Sequence, residues 1–448
     1  MSLPRQLFSC LTLSLLATAA CGDDPAKQFA DAPTPDARSI DAAPDAQVPG
    51  IVKAVAVRFG KILEGATVIF QNADGSTIST KPTDATGEAS ETMLPGGTVN
   101  IVMEQGPISG RAIARGGPAN EVVSFVGVKP GDVLRTGDTY PTLTYVTREL
   151  TLPTLPQGAL LNILISCANN GLVSGVPPIT ISLDAACTTT SVFVAVRDAN
   201  NNPVGSFYKA TVAIPATGAI NVASETFTAD RQLNVAVNNT PTDVSSLLVT
   251  CSLSDGKFEY AFTDNNQFSP SPVLASNSGA VTISGALGPD LLVRSSLSRG
   301  NNGYQEIFEL AAPATTYALS LTGLVLPWVD TQPVLNVATG EVTWTETPGD
   351  APEAIQFRAF TFRADTNLSF ARTVIAPYRM GAVKIPKLPG TAAQYDFLAT
   401  DRTNLGIALI KVGVGYDVLR PLLSRTYGTG ALQGQRGRVR FSYIQFLD

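Results

Sequence analysis

Runs of five to nine residues in which apolar and polar side chains alternate recur along this 448-residue chain. Examples are "VAVRF" at 55–59, "ATVIFQ" at 66–71, "TVNIVME" at 98–104, "SVFVAVRD" at 191–198, "QLNVAVNN" at 232–239, "AVTISG" at 280–285, "EVTWTET" at 341–347, "YDFLATD" at 395–401 and "RVRFSYIQF" at 438–446. A period of two sends successive side chains to opposite faces of an extended strand, so each run predicts a strand with one buried face. Between the runs stand turn signals such as "NADG", "DATG", "LPGG", "DANNNPVG", "SDGK" and "TDNN", drawn from a stock of 38 Gly and 31 Pro. No window of a dozen residues sustains the spacing of an amphipathic helix. The predicted fold class is therefore all-β, built as tandem antiparallel β-sandwiches rather than a parallel α/β sheet.

The first twenty residues do not fit that pattern. Arg5 is followed by an apolar run from Leu7 to Ala20, too short to span a bilayer, for which a helix needs about 20 apolar residues. Residues 1–20 therefore predict an export signal. Ala17, Thr18, Ala19 and Ala20 stand directly before Cys21, and this arrangement resembles the lipobox of bacterial lipoproteins. The resemblance implies that the Cys21 thiol receives a diacylglyceryl group, that the chain is cut before it and that the new amine is acylated. Several acyl chains suffice for stable membrane attachment without a spanning helix. Plain secretion is the alternative.

Residues 22–50 contain six Asp, five Pro and seven Ala, with Phe29, Ile40 and Val48 as the sizeable apolar groups. Such a segment cannot bury enough surface to offset its ordering entropy, so 21–50 predicts a lipidated, disordered tether. The expected address is the bacterial cell envelope, lipid-anchored at the outer membrane on its periplasmic face or at the cell surface.

Histidine is absent from the whole sequence. That removes Ser-His-Asp and Cys-His nucleophile systems, His-ligated metal centres and a histidine general base. Carboxylate pairs, Ser-Lys arrangements and oxygen-only calcium sites survive the exclusion. A formal net charge of −6 argues against nucleic acid as a partner. With Cys10 in the signal and Cys21 lipidated, Cys167, Cys187 and Cys251 remain, without a CxxC pair. Cys167–Cys187 is the expected disulfide; Cys187–Cys251 and three free thiols are the alternatives.

The first unit, 51–146, carries Gly65, Ala66 and Val68, then Asp74 and Gly75, then Thr83, Asp84 and Gly87. This spacing resembles bacterial Ig-like and carboxypeptidase-regulatory-like sandwiches, which implies a stalk, spacer or folding aid. The last unit, 326–448, places Trp344 just before Pro348, and Leu388 seven residues ahead of Tyr395, with Phe397 and Ala399 alternating after it. This resembles the fibronectin type III pattern. It implies that Trp344 fills the space between the sheets and that the Tyr395 hydroxyl bonds back to the chain at a corner, making both structural core residues. Region 147–325 is strand-rich and predicts one large sandwich or two small ones.

Other motifs admit plainer readings. In "DANNNPVG", Asp198 to Gly205, Pro203 stands where a calcium loop needs Gly and Lys209 where it needs a bidentate acid, so a hairpin turn is expected and no metal site. Trp328 and Trp344 are expected in cores rather than on a sugar-stacking platform. Arg436, Arg438 and Arg440 alternate and predict a solvated strand face, with contact to anionic glycan or lipid as the sharper reading. "GVGYDVLR" lacks the second half of a dinucleotide fingerprint. The expected function is a non-catalytic, membrane-anchored structural or interaction module with an envelope protein or glycan partner and no cofactor. The alternatives are a carbohydrate-binding surface protein and a carboxylate-dependent glycan hydrolase.

Overall fold

The computed structural model describes residues 48–446 apart from Phe59, 105–119, 138–143, 168–171, Val176, 255–258, 261–266, Ser284, 286–289, 301–302, Pro313 and 424–437. The expected signal, Cys21 and most of the expected tether lie outside these residues. The described chain is β-rich, and its one α-helix is the four-residue Tyr416–Leu419. No helix among the described residues is long and apolar enough to cross a membrane.

One plan recurs four times. In the first sandwich the strands run Gly50–Val55, Thr67–Gln71, Thr77–Pro82, Glu88–Met93, Gly97–Met103, Asn120–Val128 and Val133–Arg135. Counted one to seven, they form a small sheet ordered four-one-seven and a large edge ordered three-two-five-six. Strands one and seven pair in parallel; the other pairs within the sandwich are antiparallel. The second sandwich repeats this with Ile179–Asp184, Tyr145–Thr151 and Ile220–Asn221 in its small sheet, and Leu172–Gly175, Leu160–Ile165, Thr189–Arg197 and Pro203–Ala213 in its large one. The third does so with Ser276–Ile283, Arg231–Asn238 and Thr316–Ser320 against Ser246–Ser254, Asp290–Ser298 and Tyr304–Ala311, the short Glu259–Tyr260 and Gln267–Phe268 sharing the place of strand three. In the fourth, Val334–Asn336, Glu341–Thr343 and Ala382–Lys384 face Leu368–Pro377, Ala354–Arg363, Arg402–Lys411 and Arg438–Phe446. There the strand flanking the first comes from the N-terminal side and pairs antiparallel.

Three of the large sheets fuse. Tyr304–Ala311 of the third sandwich pairs antiparallel with Arg438–Phe446 of the fourth, and Leu368–Pro377 of the fourth pairs parallel with Asn120–Val128 of the first. The result is a 13-stranded sheet crossing from residue 67 to residue 446. Each fused edge exchanges unpaired backbone groups for ladder hydrogen bonds, which removes an edge that invites foreign strands.

Fusion changes what alternation means. In a lone sandwich one face of Thr67–Gln71 would meet solvent, but here both faces are covered. Val68 and Phe70 enter a core with Val52, Ile101 and Phe125, while Ile69 joins one with Phe357, Phe370 and Ile407 of the fourth sandwich. Gly97–Met103 is buried at all seven positions, the continuous burial of a strand covered on both sides. A third core holds Trp328 with Leu247, Val293 and Leu319, and a fourth fills the second sandwich around Ile163, Val194 and Phe207.

The Cys167–Cys187 disulfide is present with Cα atoms 6.4 Å apart, and Cys251 is a buried free thiol. The bridge ties the end of Leu160–Ile165, in the large sheet, to the end of Ile179–Asp184, in the small one. Asp198 caps the hairpin turn by accepting from the Asn200 and Asn202 amides, 2.8 Å each, with Asn201 at φ 66°. This is an Asx-type turn made with ordinary hairpin chemistry.

Two expectations fail here, and a third, the Tyr395 corner bond, fails at the junction described below. "YDFLATD" is not a strand: Gly390–Tyr395 is a 3-10 helix followed by turns, and the strand begins only at Arg402. Asp396 and Asp401 in this stretch hold buried arginines, as described below, and those bonds favour a folded-back chain over an extended one. Arg440 is not solvated. It is 8% exposed, pairs with Asp350 and donates to the Gly323 and Leu324 carbonyls, both 3.2 Å. Its strand is flanked on both edges, and the Asp350 segment covers this side chain. Arg436 and the Arg438 side chain lie outside the described residues.

Candidate functional site

The junction of the first and fourth sandwiches gathers buried polar side chains and the larger described cleft. Its base is a ladder across three neighbouring strands. The Ser124 hydroxyl donates to Asn100 Oδ1 at 2.7 Å, and Asn100 Nδ2 donates to Gln71 Oε1 at 2.7 Å. Gln71 Nε2 then donates to the Lys387 carbonyl of the fourth sandwich at 3.0 Å and to the Gly75 carbonyl at 3.1 Å. Asn100 and Ser124 are 0% exposed and Gln71 3%. The chain of donors and acceptors satisfies groups that would otherwise be costly to bury.

Beside the ladder, segment 385–397 is held by arginines. Arg372 is fully buried; its Nη1 donates to Asp396 Oδ1 at 2.7 Å and to the Tyr395 carbonyl at 3.3 Å, and its Nη2 to the Pro386 carbonyl. Burial pushes the guanidinium pKa down, and the Asp396 carboxylate opposes that shift. Arg363 forks onto Asp401 at 2.8 and 2.9 Å and reaches the Gln394 and Asp396 carbonyls. A bidentate guanidinium fixes orientation as well as position. Arg420, also fully buried, holds Asp132, Asp417 and the Gly127 carbonyl.

Trp344 is 6% exposed and Tyr395 2%, and both lie in the core shared by the two sandwiches. Trp344 follows the strand Glu341–Thr343, and its Nε1 donates to Glu346 at 3.0 Å. Tyr395 does not bond back to its own corner. Its hydroxyl donates to Glu104 Oε1 of the first sandwich at 2.9 Å, because the 3-10 helix turns the ring toward the junction. Burial, followed by the Glu104 hydrogen bond, pushes the phenol above its ordinary pKa. With both tryptophans in cores, neither offers an open face for stacking a sugar.

"GVGYDVLR" folds around a carboxylate: Glu353 accepts from the amides of Val412, Gly413 and Gly415 at 2.9–3.1 Å. The anion-receptive backbone is thereby filled from within the chain.

The cleft, about 300 Å³, opens where the turn 72–75 and Gly96 of the first sandwich face Lys384 and Pro386 of the fourth. Gln71, Thr98 and Val126 also line it. Asp74 carries the one carboxylate of its lining, and hydrogen bonds from the Ser76 hydroxyl and then the Ser76 amide hold that carboxyl below its ordinary pKa. Among the described residues no group of three or more Cys, Asp or Glu is placed to hold a metal ion. The sequence marks "NADG" and "LPGG" as turns, but nothing in it announces that they converge with residues some 300 positions later.

No protein-family model matches this chain, and no curated protein matches it by sequence. Among solved structures, the Bacillus anthracis TIE protein matches over 61% of this chain and 49% of its own, at 12% identity and a TM-score of 0.15. The major pilin subunit of Bacillus cereus matches over 61% of this chain and 99% of its own, at 9% identity and a TM-score of 0.14. The chain thus spans about half the length of the first of these proteins. Likeness at this level carries no argument about function.

Proposed function

We propose that this chain is a non-catalytic structural or interaction module of the bacterial cell envelope, anchored through lipid on Cys21 and displayed on the 21–50 tether at the outer membrane. The observation that carries the reading is the fused 13-stranded sheet. Three sandwiches share ladders, and the buried arginines Arg363, Arg372 and Arg420 are spent on carboxylates and carbonyls that fasten loops to that sheet. The recurring strand order supports reading the repeats as Ig-like and fibronectin III-like modules. A hydrolase using two carboxylates needs them about 5–10 Å apart across its cleft, whereas the lining of the junction cleft carries one carboxylate, Asp74.

The test uses the full chain in its native host. Cys21→Ser should release the protein from the membrane fraction or leave it uncleaved, and cross-linking should recover the wild type with a reproducible envelope neighbour. Processed, membrane-bound Cys21→Ser protein would remove the anchor, and turnover of an envelope glycan by purified protein would remove the non-catalytic reading.

A further inference from the structure

Several polar groups that line the junction cleft are not used internally. The Thr98 hydroxyl, 8% exposed, has no hydrogen-bond partner among the described residues, and the Lys384 ammonium has neither a hydrogen bond nor an ion pair there. Asn72 spends its amide nitrogen on Ser76 Oγ at 3.0 Å, which leaves Oδ1 unengaged. Asp74 takes both Ser76 bonds on Oδ1, at 2.8 and 2.6 Å, and Oδ2 remains. Lys387, by contrast, is committed, its ammonium to the Val337 carbonyl and its own carbonyl to Gln71.

Two acceptors, one ammonium donor and a hydroxyl that serves as either therefore share one cleft with the apolar surfaces of Val126 and Pro386. Gly75 and Gly96, at φ 88° and 91°, give it walls without side chains. The volume of about 300 Å³ lies at the lower end of small-ligand sites, and domain junctions are a preferred place for such sites.

The chemistry of this lining selects among ligands. An apolar ligand would leave the free polar groups unpaired as it displaced their water. A phosphate would meet a lining whose one uncommitted cation stands with the Asp74 carboxylate, too little positive charge for a multiply charged anion. A sugar ring answers both conditions: each hydroxyl donates and accepts, and its C–H face suits Val126 and Pro386. We propose that this cleft binds a single saccharide unit, free or at the end of a glycan chain. The site goes beyond the module reading above and depends neither on the lipid anchor nor on the absence of catalysis.

The experiment screens the purified full chain on an array of neutral and acidic saccharides and titrates the strongest hit by calorimetry. Ala73→Trp, on an exposed turn, should fill the cleft and abolish binding without lowering Tm. Thr98→Val keeps the shape and removes the hydroxyl, and Lys384→Ala removes the donor; each should raise Kd about tenfold. Leu274→Trp, exposed in the third sandwich, serves as control and should bind as wild type. A uronate preferred over its neutral counterpart, with that preference lost in Lys384→Ala, would place the ligand's carboxylate at Lys384; equal binding would place a hydroxyl there. An array with no retained saccharide overturns the proposal, and so does binding that survives Ala73→Trp unchanged. Neither outcome touches the membrane and cross-linking results that test the module reading.

Discussion

Asp396→Ala is the most informative single change at the junction. Arg372 is 0% exposed, and its charge is compensated by one carboxylate and two backbone carbonyls. Removing the carboxylate strands a buried guanidinium, a loss of about 3–5 kcal/mol. The chain is too large for a single unfolding transition to report that loss cleanly, so the readout should be local. Hydrogen exchange of the amides in 385–397 that open with this segment should quicken roughly 100- to 4,000-fold, at about 1.4 kcal/mol per tenfold. Amides of Leu160–Ile165, in a separate core, should not change. Adding Arg372→Met to Asp396→Ala removes the stranded charge and should recover part of the protection. The reasoning is refuted if Asp396→Ala quickens exchange less than about tenfold, or if the double variant exchanges faster than the single one.

Trp344→Ala should lose about 3–5 kcal/mol as a truncated core aromatic, whereas Tyr395→Phe, which removes the shorter of two hydrogen bonds to Glu104 Oε1, should lose about 1–3 kcal/mol; hydrogen exchange of the amides of Ala354–Arg363, whose side chains share that core, measures both. Burial pushes the Asp401 carboxyl up, but hydrogen bonds from Arg363 and the Leu398 amide outweigh it, so its folded pKa lies below the ordinary 3.8. A depressed carboxyl contributes stability above the unfolded value and loses it as pH falls through the folded one. Stability should therefore decline below about pH 4, and Asp401→Asn should flatten that decline in pH-dependent melts. Without reductant a tryptic map should show the Cys167 and Cys187 peptides joined, and reduction of their 20-residue loop should cost about 3 kcal/mol. Cys251, whose thiol burial pushes up to about 12, should resist iodoacetamide in native protein and label only after unfolding.

Much of the strand inventory was legible in the sequence because period-two alternation is a local property. "RVRFSYIQF" coincides with the strand Arg438–Phe446, and "DANNNPVG" announces the turn that Asp198 caps. The disulfide was legible too, since few cysteines and a short loop limit the choices. Alternation assigns side chains to faces and leaves open what covers each face. Gln71, Asn100 and Ser124 occupy positions that a lone sandwich would turn to water, and the fourth sandwich buries them. Tyr395 carried a corner-like spacing, yet its partner is Glu104, 291 residues away. Edge pairing was hidden for a different reason. Strand edges join through backbone N–H and C=O groups, which every residue but proline supplies alike, so no side-chain pattern marks Leu368–Pro377 as the neighbour of Asn120–Val128. Local alternation and turn chemistry account for most of the strands and turns, and a chain without histidine excludes histidine chemistry; which edges fused, and where a cleft could open between them, depended on contacts between segments hundreds of residues apart.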